Sequence, residues 1–99
     1  EIRKAIKKPL SCKIRIGKSH KDKNHVELVK LLEGEGVDFI AVHGRTFTQG
    51  FSGDISIEDI KNIVKITSLP IIGSGGVKEY SDAIRLINYT GAIAWMVGR

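Results

Sequence analysis

Four short runs of apolar, β-favouring residues punctuate the chain, at Ser11 to Ile16, Phe39 to His43, Pro70 to Gly73 and Ala92 to Val97. Between them the apolar positions recur at helical spacing. In Asn24 to Glu35, Val26, Val29 and Leu32 with Leu28 and Leu31 form such a set, and Gly34 and Gly36 offer a C-terminal stop. A second helix is predicted from Ser56, a good N-cap, with Asp59 three residues on as a variant of the capping box. It carries Ile57, Ile60, Ile63 and Val64 on one side before Pro70 opens the next strand. A third runs from Ser81 to about Tyr89, with Ala83, Ile84, Leu86 and Ile87 apolar and Gly91 behind it. Strands separated by crossover helices, at a spacing of about thirty residues, are the signature of consecutive βα units with parallel strands, an α/β fold. No linker, low-complexity tract or internal domain boundary divides the chain.

Periodicity alone does not choose between an open doubly wound sheet and a segment of a (β/α)8 barrel. The strand ends do more. Each strand empties into a polar or glycine-rich stretch: Lys13 to Lys18, His43 to Thr46, Gly73 to Gly76, and Gly98-Arg99. In barrels the active groups come from the C-terminal ends of successive strands. No Gly-x-Gly-x-x-Gly follows a strand, which disfavours a Rossmann dinucleotide site. The 99 residues are too few for eight βα units, so the pattern predicts half of a (β/α)8 TIM barrel, with four strands and three crossover helices. Residue 1 is Glu rather than Met, the first residues read like the last turns of a helix, and Gly98-Arg99 follows an apolar run directly. The expectation is a segment of a larger protein.

Charge changes this picture little. Sixteen Lys and Arg against eleven Asp and Glu give a formal charge of +5. The basic residues gather on either side of the first strand, at Lys4, Lys7 and Lys8 and at Lys18, Lys21 and Lys23. This suits a polyanionic partner, and equally suits solvated lysines on exposed helix and loop. The single cysteine, Cys12, excludes an intramolecular disulfide, so a cytoplasmic setting is the default. No apolar stretch is long enough to span a bilayer, and no signal-peptide pattern opens the chain.

The chemistry-bearing residues sit at the strand ends. Strand side chains alternate, so Lys13 and Arg15 share one face of the first strand and Cys12 points the other way, as a core thiol. His43 and Arg45 stand where the buried strand Phe39-Ile40-Ala41-Val42 meets a loop. Taken alone, His43 reads equally well as a hydrogen-bonded structural histidine. Ser74, Gly75 and Gly76 form a stretch in which backbone N–H groups can approach a phosphate, and Gly98-Arg99 could add a second contact. A tight turn needing positive φ explains such glycines as well. On consecutive strand ends they point to a phosphate-bearing ligand.

Lys13-Ile14-Arg15, Ile40-Ala41-Val42-His43-Gly44-Arg45-Thr46, Gln49-Gly50-Phe51-Ser52-Gly53 and Gly98-Arg99, with the spacing between them, resemble the flavin domain of tRNA-dihydrouridine synthases. The resemblance covers Pro9 to Arg99. It implies an FMN oxidoreductase that uses NADPH or NADH to reduce the C5–C6 double bond of particular uridines in tRNA, this chain being the C-terminal half of its barrel. It further implies cofactor contacts from Lys13, at the flavin pyrimidine, from His43, beside the ring, and from Ser74, Gly75, Gly76, Gly98 and Arg99, at the phosphate. Arg15 and Arg45 match positions near the substrate base and its tRNA strand. The family's proton-donating Cys and its helical tRNA-binding domain are expected outside these residues; Cys12 does not match that Cys. Many members carry Asn-Gly-Asp where this chain has Ser74-Gly75-Gly76. A fragment of this kind is expected to be inactive alone, and its open edges suggest a homodimer of half-barrels. Two other classes remain: another phosphate- or FMN-binding barrel of the dihydroorotate dehydrogenase type, and a non-catalytic basic RNA-binding piece.

Overall fold

A computed structural model of the chain describes residues 11–17, 19, 23–46, 48–50 and 52–97. Strand β1 (Ser11–Arg15) is followed by helix α1 (His25–Gly34), β2 (Phe39–His43), α2 (Ile57–Ile66), β3 (Ile71–Ser74), α3 (Tyr80–Thr90) and β4 (Ala94–Met96). The strands form one parallel sheet in the order β1-β2-β3-β4. A doubly wound sheet reverses its strand order at a switch point, whereas a barrel adds each strand beside the last. The unbroken order of four strands is therefore part of a (β/α)8 barrel in its topology, as the strand-end pattern predicted.

Alternation along each strand divides the sheet into two faces. One face gives Ile14, Ile40, Val42, Ile71 and Trp95 to the core, where they meet Val29 of α1, Ile60 and Ile63 of α2, and Ala83 and Leu86 of α3. Cys12, a half-buried free thiol, packs against the same core, as expected from its parity with Ile14. The parallel register lays the other face out in two rows. Lys13, Ala41, Ile72 and Ala94 form the lower row; Arg15, His43, Ser74 and Met96 form the upper one, nearer the strand ends. Stacked inward-facing rows of this kind are how barrel interiors are filled.

The element ends follow local chemistry. Ser56 caps α2, its hydroxyl accepting from Asp59 N at 3.4 Å. The Asp59 carboxylate does not complete a capping box; it takes Lys23 at 2.7 Å instead. The reciprocal box lies at α3, between Glu79 and Asp82, so that helix begins at Tyr80, one residue before the predicted Ser81. Gly91 closes α3 at φ 85°, its N–H donating to Ile87 O at 2.9 Å. Pro70 stays outside β3 because it has no N–H for the ladder, but its carbonyl accepts from Ile40 N at 3.1 Å. The predicted fourth strand shortens at both ends, since Ala92 N is engaged by Thr90 Oγ1 at 3.2 Å just after α3. Among the described residues, no helix is long and apolar enough to cross a membrane.

Candidate ligand cleft

The carboxyl ends of β1, β2 and β3 open on one cleft of about 940 Å³. Lys13, His43, Arg45, Ser74, Gly75 and Gly76 all line it, so six of the nine residues singled out from the sequence meet at one place. Arg15 does not line the cleft. Gly98 and Arg99 lie outside the described residues, as does Phe51. Asp54, Ile55, Lys78 and Arg85 complete much of the lining. Sequence reasoning did not single these out, although Lys78 and Arg85 are seven positions apart, two helical turns, around the start of α3.

His43 lies on the upper row between Arg15 and Ser74 and is buried. Burial first, then the charges of Arg15, Arg45 and Lys13, push its pKa below the ordinary 6.5, so the imidazole is neutral at pH 7. Arg45 Nη1 lies 3.3 Å from His43 Nε2. A guanidinium has no acceptor, so Nε2 accepts and the ring proton sits on Nδ1. Arg45 is itself held by Nε, which donates to Gly53 O at 2.8 Å. A purely structural role does not account for the place of His43 in the cleft wall.

Arg15, which the resemblance places near the substrate base, turns toward the loop after β2. Its Nη1 donates to Thr46 O at 3.1 Å and to Gly50 O at 2.8 Å. Hydrogen bonds from a charged donor to carbonyls are worth about 1.5–3 kcal/mol each, so this clamp is a substantial part of the loop's stability.

The far wall is the turn after β3. Gly75 and Gly76 have φ of 101° and 74°, conformations that side chains rarely adopt. A Cβ on Gly75 would also stand 2.8 Å from Ile55 Cγ2 and 3.1 Å from His43 Nε2. The turn is fixed from behind by Trp95, whose Nε1 donates to Gly75 O at 3.0 Å. Ser74 Oγ, on a residue only 7 % exposed, has no hydrogen-bond partner among the described residues. A buried hydroxyl left unsatisfied costs about 1–3 kcal/mol, which a ligand atom in the cleft would relieve. The N–H groups of Lys78 and Glu79 are already taken by Asp82 Oδ2, at 3.1 and 3.0 Å. An anion in this cleft therefore meets the glycine turn rather than the start of α3.

Four cations (Lys13, Arg45, Lys78 and Arg85) face one carboxylate (Asp54) in the lining, so the cleft favours an anion. Arg85 is partly spoken for by Asp82 at 3.2 Å. Among the described residues no cluster of His, Cys, Asp and Glu could hold a metal ion.

The same chain matches a sequence model described as dihydrouridine synthase (Dus) along its whole length, residues 1–99. The chain belongs to the dihydrouridine synthase family. It is 46% identical over 92 residues to a probable tRNA-dihydrouridine synthase of Aquifex aeolicus, covering 92% of this chain and 28% of that protein. It is 37% identical over 95 residues to tRNA-dihydrouridine synthase B of Proteus vulgaris, covering 96% of this chain and 29% of the relative. The enzyme of the same name from Pectobacterium carotovorum is 36% identical over 96 residues, which is 97% of this chain and 30% of the relative. The chain thus spans under a third of the length of these relatives. Family membership agrees with the motifs that carried the resemblance. Of these, the Gln49 to Gly53 segment is the one whose structural role its sequence did not disclose.

Proposed function

We propose that the chain supplies the C-terminal half of the FMN-binding barrel of a tRNA-dihydrouridine synthase, an oxidoreductase that reduces the C5–C6 bond of tRNA uridines with NADPH or NADH. The observation that carries this reading is the convergence of Lys13, neutral His43 and the Ser74–Gly76 turn on one cationic cleft. The residues fit a flavin mononucleotide. The turn brings Cβ-free backbone and the Ser74 hydroxyl, without a partner among the described residues, to a phosphate, and the exposed Lys13 ammonium suits the electron-rich pyrimidine edge of the ring. When bound, FMN supplies hydride transfer to the uracil double bond.

The chain's own groups then have separate tasks. Lys13 stabilises negative charge at the edge of the ring it contacts. His43, neutral and protonated on Nδ1 until an anion enters, can orient a ring or base at the cleft wall. Arg45, beside His43 and tied to Gly53 O, stands at the rim where a tRNA phosphate or base would enter. Gly98 and Arg99 complete the phosphate site in this reading, and Arg15 acts on the substrate through the loop that it clamps. The proton-donating Cys and the helical tRNA-binding domain belong to other parts of the working protein, which acts in the cytoplasm, where its tRNA is found.

A titration with FMN, followed by flavin fluorescence with Lys13→Ala alongside, tests the reading. Saturable binding that the variant weakens supports it; binding that Lys13→Ala leaves unchanged contradicts the assigned role of Lys13. Within the described sheet β1 and β4 are the edges, so closure needs either further barrel strands or a second copy. The homodimer of half-barrels predicts a dimer mass in sedimentation equilibrium, and a monomer at micromolar concentration contradicts it.

A further inference from the structure

Between β2 and α2 the described loop residues lie in neither helix nor strand, yet Gly53, Asp54 and Ile55 line one side of the cleft. Gly50 and Gly53, at φ 59° and 77°, turn the chain twice. Between those turns and β2 sits Gln49, whose amide binds the loop from inside. Its Oε1 accepts from Thr46 N at 2.9 Å, and its Nε2 donates to Ser52 O at 3.3 Å and to Asp54 O at 3.2 Å. Arg15 and Arg45 hold the loop too, but through the carbonyls of Thr46, Gly50 and Gly53. Gln49 reaches Asp54, the residue that precedes Ile55.

Ile55 is where the loop meets the glycine turn. A Cβ on Gly44 would lie 2.9 Å from Ile55 Cβ, one on Gly75 2.8 Å from its Cγ2, and one on Gly76 3.0 Å from its Cδ1. Ile55 therefore rests directly on two stretches of backbone, at Gly44 and at Gly75–Gly76, and in a close-packed interior a shift of one forces a shift of the other. Gln49 is separated from Gly75 and Gly76 by this contact.

We propose that Gln49 is a positioning residue: by holding Asp54 and Ser52 it seats Ile55 against the Gly75–Gly76 turn and thereby sets the shape of the phosphate end of the cleft. The ligand in this inference rests on the flavin reading above; the geometry does not.

Gln49→Glu keeps an acceptor for Thr46 N but replaces the donor facing two carbonyls with a carboxylate oxygen. Gln49→Met keeps the length of the side chain without its hydrogen bonds. In 15N-labelled chain, both should move the amide resonances of Gly75 and Gly76 as well as those of the loop. Ile55→Ala should reproduce the Gly75 and Gly76 displacement while leaving Thr46 N–H at its wild-type position. In Gln49→Glu and Ile55→Ala the FMN Kd should rise about tenfold, the scale set by one net hydrogen bond. Resonance changes confined to residues 46 to 54, with Gly75 and Gly76 unmoved, would overturn the proposal. If Gln49→Glu does not fold, Gln49→Met decides by the same spectra. A wild-type chain that takes up no FMN refutes the flavin reading, while the amide spectra still decide the role of Gln49.

Discussion

Gly73 is the position where the least added mass should do the most damage. It lies in β3 opposite Trp95 in β4, and a Cβ built there falls 2.3 Å from Trp95 Cζ3 and 2.5 Å from Cε3. Real Cβ contacts are never that short, so Gly73→Ala must move the indole, β3, or both. Overpacking of this kind costs about 1–3 kcal/mol. Moving the indole also breaks the Trp95 Nε1–H bond to Gly75 O, worth about 1 kcal/mol net. Against this, Ala in place of Gly restricts the unfolded chain and returns about 0.4–1 kcal/mol. The net expectation is a loss of about 1–3 kcal/mol. For a domain of this size each kcal/mol lowers Tm by about 4–8 °C, so Tm should fall by roughly 5–20 °C. Trp95 is the chain's single tryptophan and only 8 % exposed, so its emission reports the same event without interference. Urea denaturation read by tryptophan fluorescence gives both quantities, and a red-shifted native spectrum should accompany the lower midpoint. Unchanged stability together with an unchanged emission maximum would refute the reasoning, because it would mean that the indole does not lie across Gly73.

Other residues give independent tests. His43 has a folded pKa below its ordinary 6.5, so the unfolded chain binds the extra proton first, and stability must fall as pH drops through 6.5. Denaturation midpoints at pH 7.5 and 5.0 should differ more in the wild type than in His43→Gln. Burial raises the pKa of Asp59, but the hydrogen bonds from Lys23 and Ser56 and the charges of Lys23 and His25 outweigh it and hold the carboxyl below 3.8. Its contribution is present above 3.8 and lost as pH falls through the depressed value, so Asp59→Asn should cost about 1 kcal/mol at neutral pH in urea unfolding, with the gap closing in strong acid. Gly34→Ala and Gly91→Ala should have opposite signs in thermal melts. Gly34 ends α1 with nothing within 4 Å of a new Cβ and should gain about 0.5–1 kcal/mol, whereas Gly91, at φ 85° with Val64 Cγ1 at 3.2 Å, should lose about 1–2 kcal/mol.

The alternation of apolar runs with helical spacing was enough to place each strand and helix from Ser11 onward to within about two residues, because each element buries one face and repeats with its own period, while the helix end expected at the start of the chain lies outside the described residues. The faces followed as well: Lys13 and Arg15 share a side with His43, and Cys12 with the core. Direction along the sheet was legible, but reach was not. Arg15 has the parity of a cleft residue, yet its guanidinium is spent on the Thr46 and Gly50 carbonyls, and carbonyl positions in an irregular loop leave no periodic trace in the sequence. Gln49 was hidden for the same reason, since an amide that binds three backbone groups looks like any polar loop residue. The capping box at Glu79 and Asp82 went unread because Glu replaces the usual Ser or Thr at the cap.

The upper row of the sheet explains why this arrangement is suited to an anionic ligand. Parallel pairing places Arg15, His43 and Ser74 side by side, and Arg45 two residues beyond β2 reaches back to His43. Burial first, then the charges of Arg15, Arg45 and Lys13, hold the His43 ring neutral, and protonating it would add a fifth positive group to a lining that already has four. An anion that enters the cleft removes part of that repulsion and favours the protonated ring. Binding of an anionic ligand should therefore be accompanied by proton uptake at His43, with affinity strengthening as pH falls below 6.5 toward the lowered pKa of the ring. His43→Gln should bind with a flatter pH dependence over pH 5–8, measured by calorimetry in buffers of different ionisation enthalpy. Equal proton uptake by the wild type and the variant would place the titrating group elsewhere and break the link between this histidine and the charge of the cleft.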